Sequence, residues 1–243
     1  NRLASLDLSG VALCGIDGAG KPLPGCSYTS SAVERLCDAL RSEHCELTSL
    51  RLTRSKMRAA EACALAAALK ARAAHGPPMQ TLVVEHAALP VPQLLGLREL
   101  PQGAHKKLST ACARLEAAEV RLMTAMLAEN SRLESLQLTG SMIGSGAAWL
   151  ADALSRRSMP LTLLHLAENN IDVAHGVALV KALREGTPSL TELDLSANPL
   201  CGVEEGGRDD FTVAFVDALC GLLGGGGGGA SAAPPLAILS LAD

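Results

Sequence analysis

Apolar residues recur along this chain at one fixed spacing. In "LTELDLSANPL", from Leu190 to Leu200, they occupy the first, fourth, sixth and eleventh places, with Asn198 at the ninth. The same template fits "LASLDLSGVAL" from Leu3, "LTSLRLTRSKM" from Leu47, "MQTLVVEHAAL" from Met79, "LESLQLTGSMI" from Leu133 and "LTLLHLAENNI" from Leu161. A half-unit, "LAILSLAD", starts at Leu236, and a degenerate one, "HKKLSTACARL", fills the double-length gap at His105. Alternation about the fourth and sixth places predicts a short strand in each unit. Between strands lie segments with a helical apolar stripe: 57–74, 116–130, 144–157, 172–186 and 209–223. The last opens on Asp209 and Asp210, favourable residues at a helix start. A Pro-flanked helix over 91–100 is the shortest.

Strand–turn–helix units of about 28 residues are the mark of long leucine-rich repeats. The units resemble the ribonuclease-inhibitor-like repeats of intracellular proteins, pattern LxxLxLxxNxLxxxG, over essentially the whole chain. The resemblance implies an α/β leucine-rich repeat solenoid, a horseshoe formed by a single domain spanning 1–243. About eight parallel strands would line its concave face and helices its convex face, with units starting near 3, 47, 79, 105, 133, 161, 190 and 236. One strand cannot bury its own first, fourth and sixth residues, whereas stacked neighbours bury them as a continuous ladder.

Departures from the template carry their own expectations. The ninth-place Asn of this pattern bonds the backbone where the chain leaves the strand. Asn169 and Asn198 supply it here, and Ser55 and Ser141 offer a partial substitute. Val11, Ala87 and Ala113 offer none, so the first half is expected to be less regular. Insertions fall near 14–30, 201–208 and 224–235, the last holding six consecutive glycines, Gly224–Gly229. They read as surface loops. The opening at Leu3 and the half-unit at Leu236 lack polar caps, so the segment is expected to be part of a longer chain or to be covered by neighbours.

Composition narrows the chemistry. The chain is 48% hydrophobic but has only four aromatics, Tyr28, Trp149, Phe211 and Phe215, so Leu and Ala must fill the core. A net charge of −4, with no basic stripe and few stacking rings, argues against nucleic acid. No apolar run is long enough to span a bilayer. The eight cysteines form no CxxC pair; scattered through apolar segments, they suit reduced thiols, and Cys14 and Cys26 would pair only in an oxidised protein. "GIDGAGKP" (15–22) satisfies GxxxxGK, but Pro22 stands where Ser or Thr would ligate magnesium, and no helix start follows. No catalytic or metal motif appears.

The expectation is therefore a non-catalytic interaction scaffold without cofactor, metal or small-molecule substrate, binding other proteins within a multi-subunit complex. Outward places give the candidate partner-binding residues: Asp7, Arg51, Arg54, Glu85, Gln137, His165, Glu192 and Asp194. Family resemblance adds cytoplasmic settings: ciliary axoneme subunits, nucleotide-binding immune receptors and ligase adaptors. The Ala-rich bias and poly-Gly run are similar to those of GC-rich protist and green-algal proteins, which tilts the expectation towards a cytoskeletal or ciliary subunit. Two alternatives remain. One is a GTPase activator resembling the Ran-activating leucine-rich family, with Arg51 and Arg54 as its candidate arginines. The other is the sensor module of an immune-type receptor.

Overall fold

The computed structural model describes residues 3–17, 19–97, 106–110, 114–156, 159–202, 204–205, 208–209, 213–224 and 234–242. Each of the eight template positions carries a short strand. They are β1 (Ser5–Asp7), β2 (Ser49–Leu52), β3 (Thr81–Val84), β5 (Lys107–Ser109), β6 (Ser135–Gln137), β7 (Leu163–His165), β8 (Glu192–Asp194) and β11 (Ile238–Ser240). Neighbouring strands pair in parallel with like places opposed: Ser5, Ser49 and Thr81 in one run, Lys107, Ser135, Leu163, Glu192 and Ile238 in the other. That register follows from the alternation, because a one-residue slip would turn every buried leucine outward. Leu50, Leu82, Leu136, Leu164 and Leu193, all at the fourth place, are fully buried. The outermost strands are less covered, and Leu3, Ile238 and Leu241 stay exposed.

Among the described residues seven α-helices accompany the strands: α1 (Ser31–Arg41), α2 (Ala59–His75), α3 (Val91–Leu94), α4 (Ala117–Leu127), α5 (Ala147–Ser155), α6 (Val173–Gly186) and α7 (Ala214–Leu223). The long ones pack in file, α1 on α2, α2 on α4, α4 on α5, α5 on α6 and α6 on α7. Gly186 lets α6 close on α5, since a Cβ there would overlap the Leu154 carbonyl. Two helical expectations are corrected. The helix expected over 91–100 is a single turn, because Pro90 and Pro92 leave little chain for it before Gly96 turns left-handed at φ 63°. The helix expected from 209 begins at Ala214, and Asp209 belongs to a small antiparallel pair, β9 (Glu204–Glu205) with β10 (Arg208–Asp209). Val213 stands at its N-cap, and Asp210 lies outside the described residues.

The strands form two sheets rather than one continuous eight-stranded array. The first has the order β1-β2-β3-β4, with β4 at Ala87–Leu89, and the second β11-β8-β7-β6-β5. The cause is the unit at Met79, whose turn is one residue short. In five units the eighth place adopts a left-handed backbone: Gly10, Arg54, Gly140, Glu168 and Ala197, at φ 52–74°. Here Glu85, at the seventh place, takes it instead, at φ 42°. The chain then reverses, and β4 (Ala87–Leu89) pairs antiparallel with β3, Val84 opposite Ala87. β4 thereby occupies the edge where β5 would otherwise pair.

The turns are held by side chains that accept backbone amides from the preceding unit. The Asn198 Oδ1 accepts the amides of Asn169 and Ile171 at 3.0 Å each, and its Nδ2 donates to the carbonyls of Leu166, Leu195 and Ser196. Asn169 repeats this one unit earlier, accepting from Ser141 and Ile143 and donating to Leu138 and Ala167. Ser141 ends the run with one bond, its hydroxyl donating to the Thr110 carbonyl. The first half is less regular, as expected, with a short turn and a fold-back in the unit at Met79, yet its turn amides are paired, because carboxylates take the place of asparagine there. The Glu85 Oε2 accepts the Arg54 amide at 2.9 Å, and Oε1 accepts the Lys56 amide at 2.8 Å and the Ser55 hydroxyl. The fully buried Glu119 accepts the amides of His86, Ala87 and Glu116. Ala113 lies outside the described residues.

A second stitch runs along the strand entries. The hydroxyls of Thr48, Thr162 and Thr191, all at the second place, donate to the carbonyls of Ala4, Glu134 and Thr162 in the preceding units. Asn130 closes the far side, donating to Gln93 and Leu94 and accepting from Arg132 and Leu133.

Two outcomes test this arrangement. Asn198→Ala orphans two buried amides and should cost on the order of 3 kcal/mol in chemical denaturation, against about 1 kcal/mol for Ser141→Ala, which loses one bond. Equal costs would contradict the ladder. For Glu119, burial raises the carboxyl pKa above its ordinary 4.5, and the three amides offset this only in part. A raised folded-state pKa means the native state holds the proton more tightly, so its contribution to stability is full in acid and declines as pH rises from about 4.5 through the folded value. The stability of parent minus Glu119→Gln should fall over that window in paired denaturation curves; a flat difference would show that Glu119 does not titrate there.

Candidate functional site

The strand face turned away from the buried leucines is the candidate surface, and its side chains divide between the two sheets. On the first, Asp7 and Arg51 stand side by side in the β1–β2 register, with Arg51 Nε 3.6 Å from Asp7 Oδ2. Both are exposed, so the pair contributes little to stability. The Asp7 carboxyl is held below its ordinary range, first by hydrogen bonds from Ser9.

The second sheet gathers four of the sequence-derived candidates on three adjacent strands. Gln137 lies opposite His165, and His165 opposite Asp194. His165 Nε2 meets Glu192 Oε1 at 2.8 Å, with both side chains partly buried. Asp194 Oδ1 accepts the Ser196 hydroxyl at 2.6 Å and its amide at 3.0 Å, and the Ser196 hydroxyl also reaches that of Ser240 at 3.0 Å. These bonds fix the outward rotamers and leave a small polar strip with an acidic end.

Two candidates are not on this face. Glu85 was expected to point outward, but it is 5% exposed, and its carboxylate is taken up by the turn of the preceding unit. The turn one residue short rotates it inward. Arg54 is exposed at the left-handed turn position, where its amide is fixed by Glu85. It is not joined with Gln137, His165, Glu192 and Asp194, which belong to the second sheet.

The insertion near 14–30 is anchored rather than loose. Cys14 and Ile16 are buried, and Tyr28 lies under the Arg58 guanidinium at 3.7 Å from the ring centre, with its hydroxyl accepting the Arg58 amide. Burial is the first cause holding the Tyr28 phenol well above its ordinary pKa. The stretch resembling a phosphate loop folds on itself: Asp17 Oδ1 accepts the amides of Ala19 and Lys21, and Ile16 bridges to Pro22. A carboxylate thus takes amides that a phosphate would need. Of the insertion over 201–208, residues 203 and 206–207 lie outside the described residues, and of that over 224–235, residues 225–233 do. Cys14 and Cys26 are both free thiols.

Sequence reasoning missed the helix side. There the single tryptophan, Trp149, packs beneath Arg121, whose guanidinium carbon is 5.5 Å from the ring centre. The only available signal was an aromatic on an otherwise Ala- and Leu-rich helix. Among the described residues, no group of three or more His, Cys, Asp or Glu is placed to hold a metal ion, and no helix is long and apolar enough to cross a membrane.

No family model matches the chain. A solved structure titled "Leiomodin-1 Actin-Binding Site 2 (ABS2)" is 16% identical, covering 62% of this chain and 75% of its own, at a TM-score of 0.42, too loose a likeness to bear on fold or function. The chain is also similar to "NACHT, LRR and PYD domains-containing protein 5" of Bos taurus, at 30% identity over 207 residues. That match takes in 82% of this chain but only 18% of the relative's length, so it is a likeness of this segment to part of a protein whose name includes leucine-rich repeats.

Proposed function

We propose that this chain is a leucine-rich repeat module of the ribonuclease-inhibitor-like kind, a non-catalytic scaffold that binds another protein through the open face of its strands. The observation that carries the reading is the strip formed by Gln137, His165, Glu192 and Asp194. Turn and strand-entry bonds hold these short strands in register, so their outward side chains form a fixed array. A rigid array of polar groups gives specificity and encounter rate more than raw affinity, which suits a subunit within a larger assembly. That assembly is proposed to be intracellular, with a cytoskeletal or ciliary complex as the setting that its Ala- and Gly-rich composition favours.

The likeness to a protein with a NACHT and a leucine-rich repeat domain favours a second reading, the sensor module of a receptor. Partner identity separates the two, since a scaffold holds its partner constitutively and a sensor does so only on stimulation.

A photo-crosslinking amino acid at Gln137 of the full-length protein in its own cells tests both. The scaffold reading predicts one discrete crosslinked protein in resting cells, depleted at least about tenfold by Glu192→Lys with Asp194→Lys. The same probe at Lys181, exposed on α6, should not give that product. A product that appears only after stimulation supports the sensor. Equal products from both positions would remove the open face from consideration.

A further inference from the structure

A groove of about 370 Å³ runs over the helix side, where α4 meets α5 along the flank of α2. Its floor is small and partly apolar, with Thr124, Ala125, Ala128 and Ala153. Two ion pairs form its rim: Lys70 with Glu129 at 3.0 Å and Arg156 with Asp152 at 2.7 Å. Asp152 also holds the Arg156 guanidinium above its ordinary pKa, through hydrogen bonding first. These four charges therefore neutralise one another.

Arg121 is the exception. It projects from α4 into the same groove, half-buried, and its Nε donates to the Cys63 thiol at 2.9 Å. Sulfur is a weak acceptor. Among the described residues no carboxylate lies within ion-pair distance of this guanidinium, and neither terminal nitrogen has a hydrogen bond. The Trp149 ring lies beneath it, within cation–π range at 5.5 Å from ring centre to guanidinium carbon. A guanidinium with a ring on one side and a thiol at Nε keeps its two-nitrogen fork free, which is the geometry that matches a carboxylate. Tryptophan and arginine together at the centre of a recess are also the residues that carry most binding energy at interfaces.

We propose that this groove is a docking surface for an acidic helical segment of a partner protein, with one Glu or Asp carboxylate seated on the Arg121 fork and small apolar side chains on the alanine floor. Charge complementarity selects this occupant: the lining has three cations to two carboxylates, and the unmatched cation sits beside the single tryptophan. The surface is separate from the open strand face, so the module would engage two proteins at once, one on each side. It does not depend on the open-face reading.

Trp149 is the sole tryptophan of these residues and reports the groove directly. The probe is a capped helical peptide with Glu at i, i+4 and Ala and Leu between, set against its Lys-for-Glu counterpart and against inorganic phosphate. The proposal expects a saturable change in Trp149 emission with the Glu peptide and none with the Lys peptide. Arg121→Gln should weaken the response roughly tenfold or more, the loss of one charge-assisted pair. Arg41→Gln, remote on α1, should leave it unchanged, and circular dichroism checks that both variants fold. Alkylation of Cys63, followed by mass spectrometry, should slow when the Glu peptide is bound. The absence of a saturable response, an undiminished response in Arg121→Gln, or a response to phosphate equal to the peptide's would each overturn the proposal.

Discussion

Four units of this protein, those starting at Leu47, Met79, Leu133 and Leu161, leave their strands through turns whose backbone amides are buried or half-buried, and the structure depends on how those amides are paired. An unpaired buried amide costs about 1–3 kcal/mol, a large fraction of a domain's net stability. The chain meets the demand by reaching across units. Asn198 serves the turn of Asn169, Asn169 the turn of Ser141, Glu85 the turn of Arg54, and Glu119 the turn of His86. Each bond joins two repeats as well as satisfying one. Stacking order and turn geometry are therefore set by the same contacts, and the strands inherit a common register from them.

The two solutions differ in what they cost. An asparagine offers an acceptor and a donor and carries no charge, so Asn169 and Asn198 satisfy amides and carbonyls together. A carboxylate offers only acceptors and must be desolvated. Glu119 accepts three amides and still has its pKa raised by burial. The change of chemistry falls where the sheet changes. The Glu85 turn is one residue short, β4 folds back on β3, and a second sheet begins at β5. Two runs of parallel strands, each regular within itself, meet at that point.

Much of the architecture was legible in the sequence because burial at the fourth and sixth places leaves a periodic trace. Leu50, Leu136, Leu164 and Leu193 announce themselves by spacing alone, and like places pair as the alternation requires. The break between sheets was not legible, because it follows from one residue missing before a left-handed turn, and although Ala87 fails the ninth place, Met79, Leu82, Val84 and Leu89 still fall at the apolar places of the template. The ninth-place residues pointed to an irregular first half but not to the groups that replace asparagine there. Satisfaction of an amide depends on which oxygen reaches it, and Glu119 reaches from a following helix, which no single-unit template includes. Gln137, His165, Glu192 and Asp194 were found because outward places alternate with buried ones, whereas Glu85 turned inward with its shortened turn. Arg121, Cys63 and Trp149 come from three different helices, so only packing brings them together.

The claim that carboxylates replace asparagines in the first half is best tested by amide hydrogen exchange on the parent and Glu85→Ala. The account predicts that the amides of Arg54 and Lys56 lose protection by about tenfold or more, while those of Ser141 and Ile143, served by Asn169, keep theirs. Unchanged protection at Arg54 and Lys56, or an equal loss at all four, would contradict it.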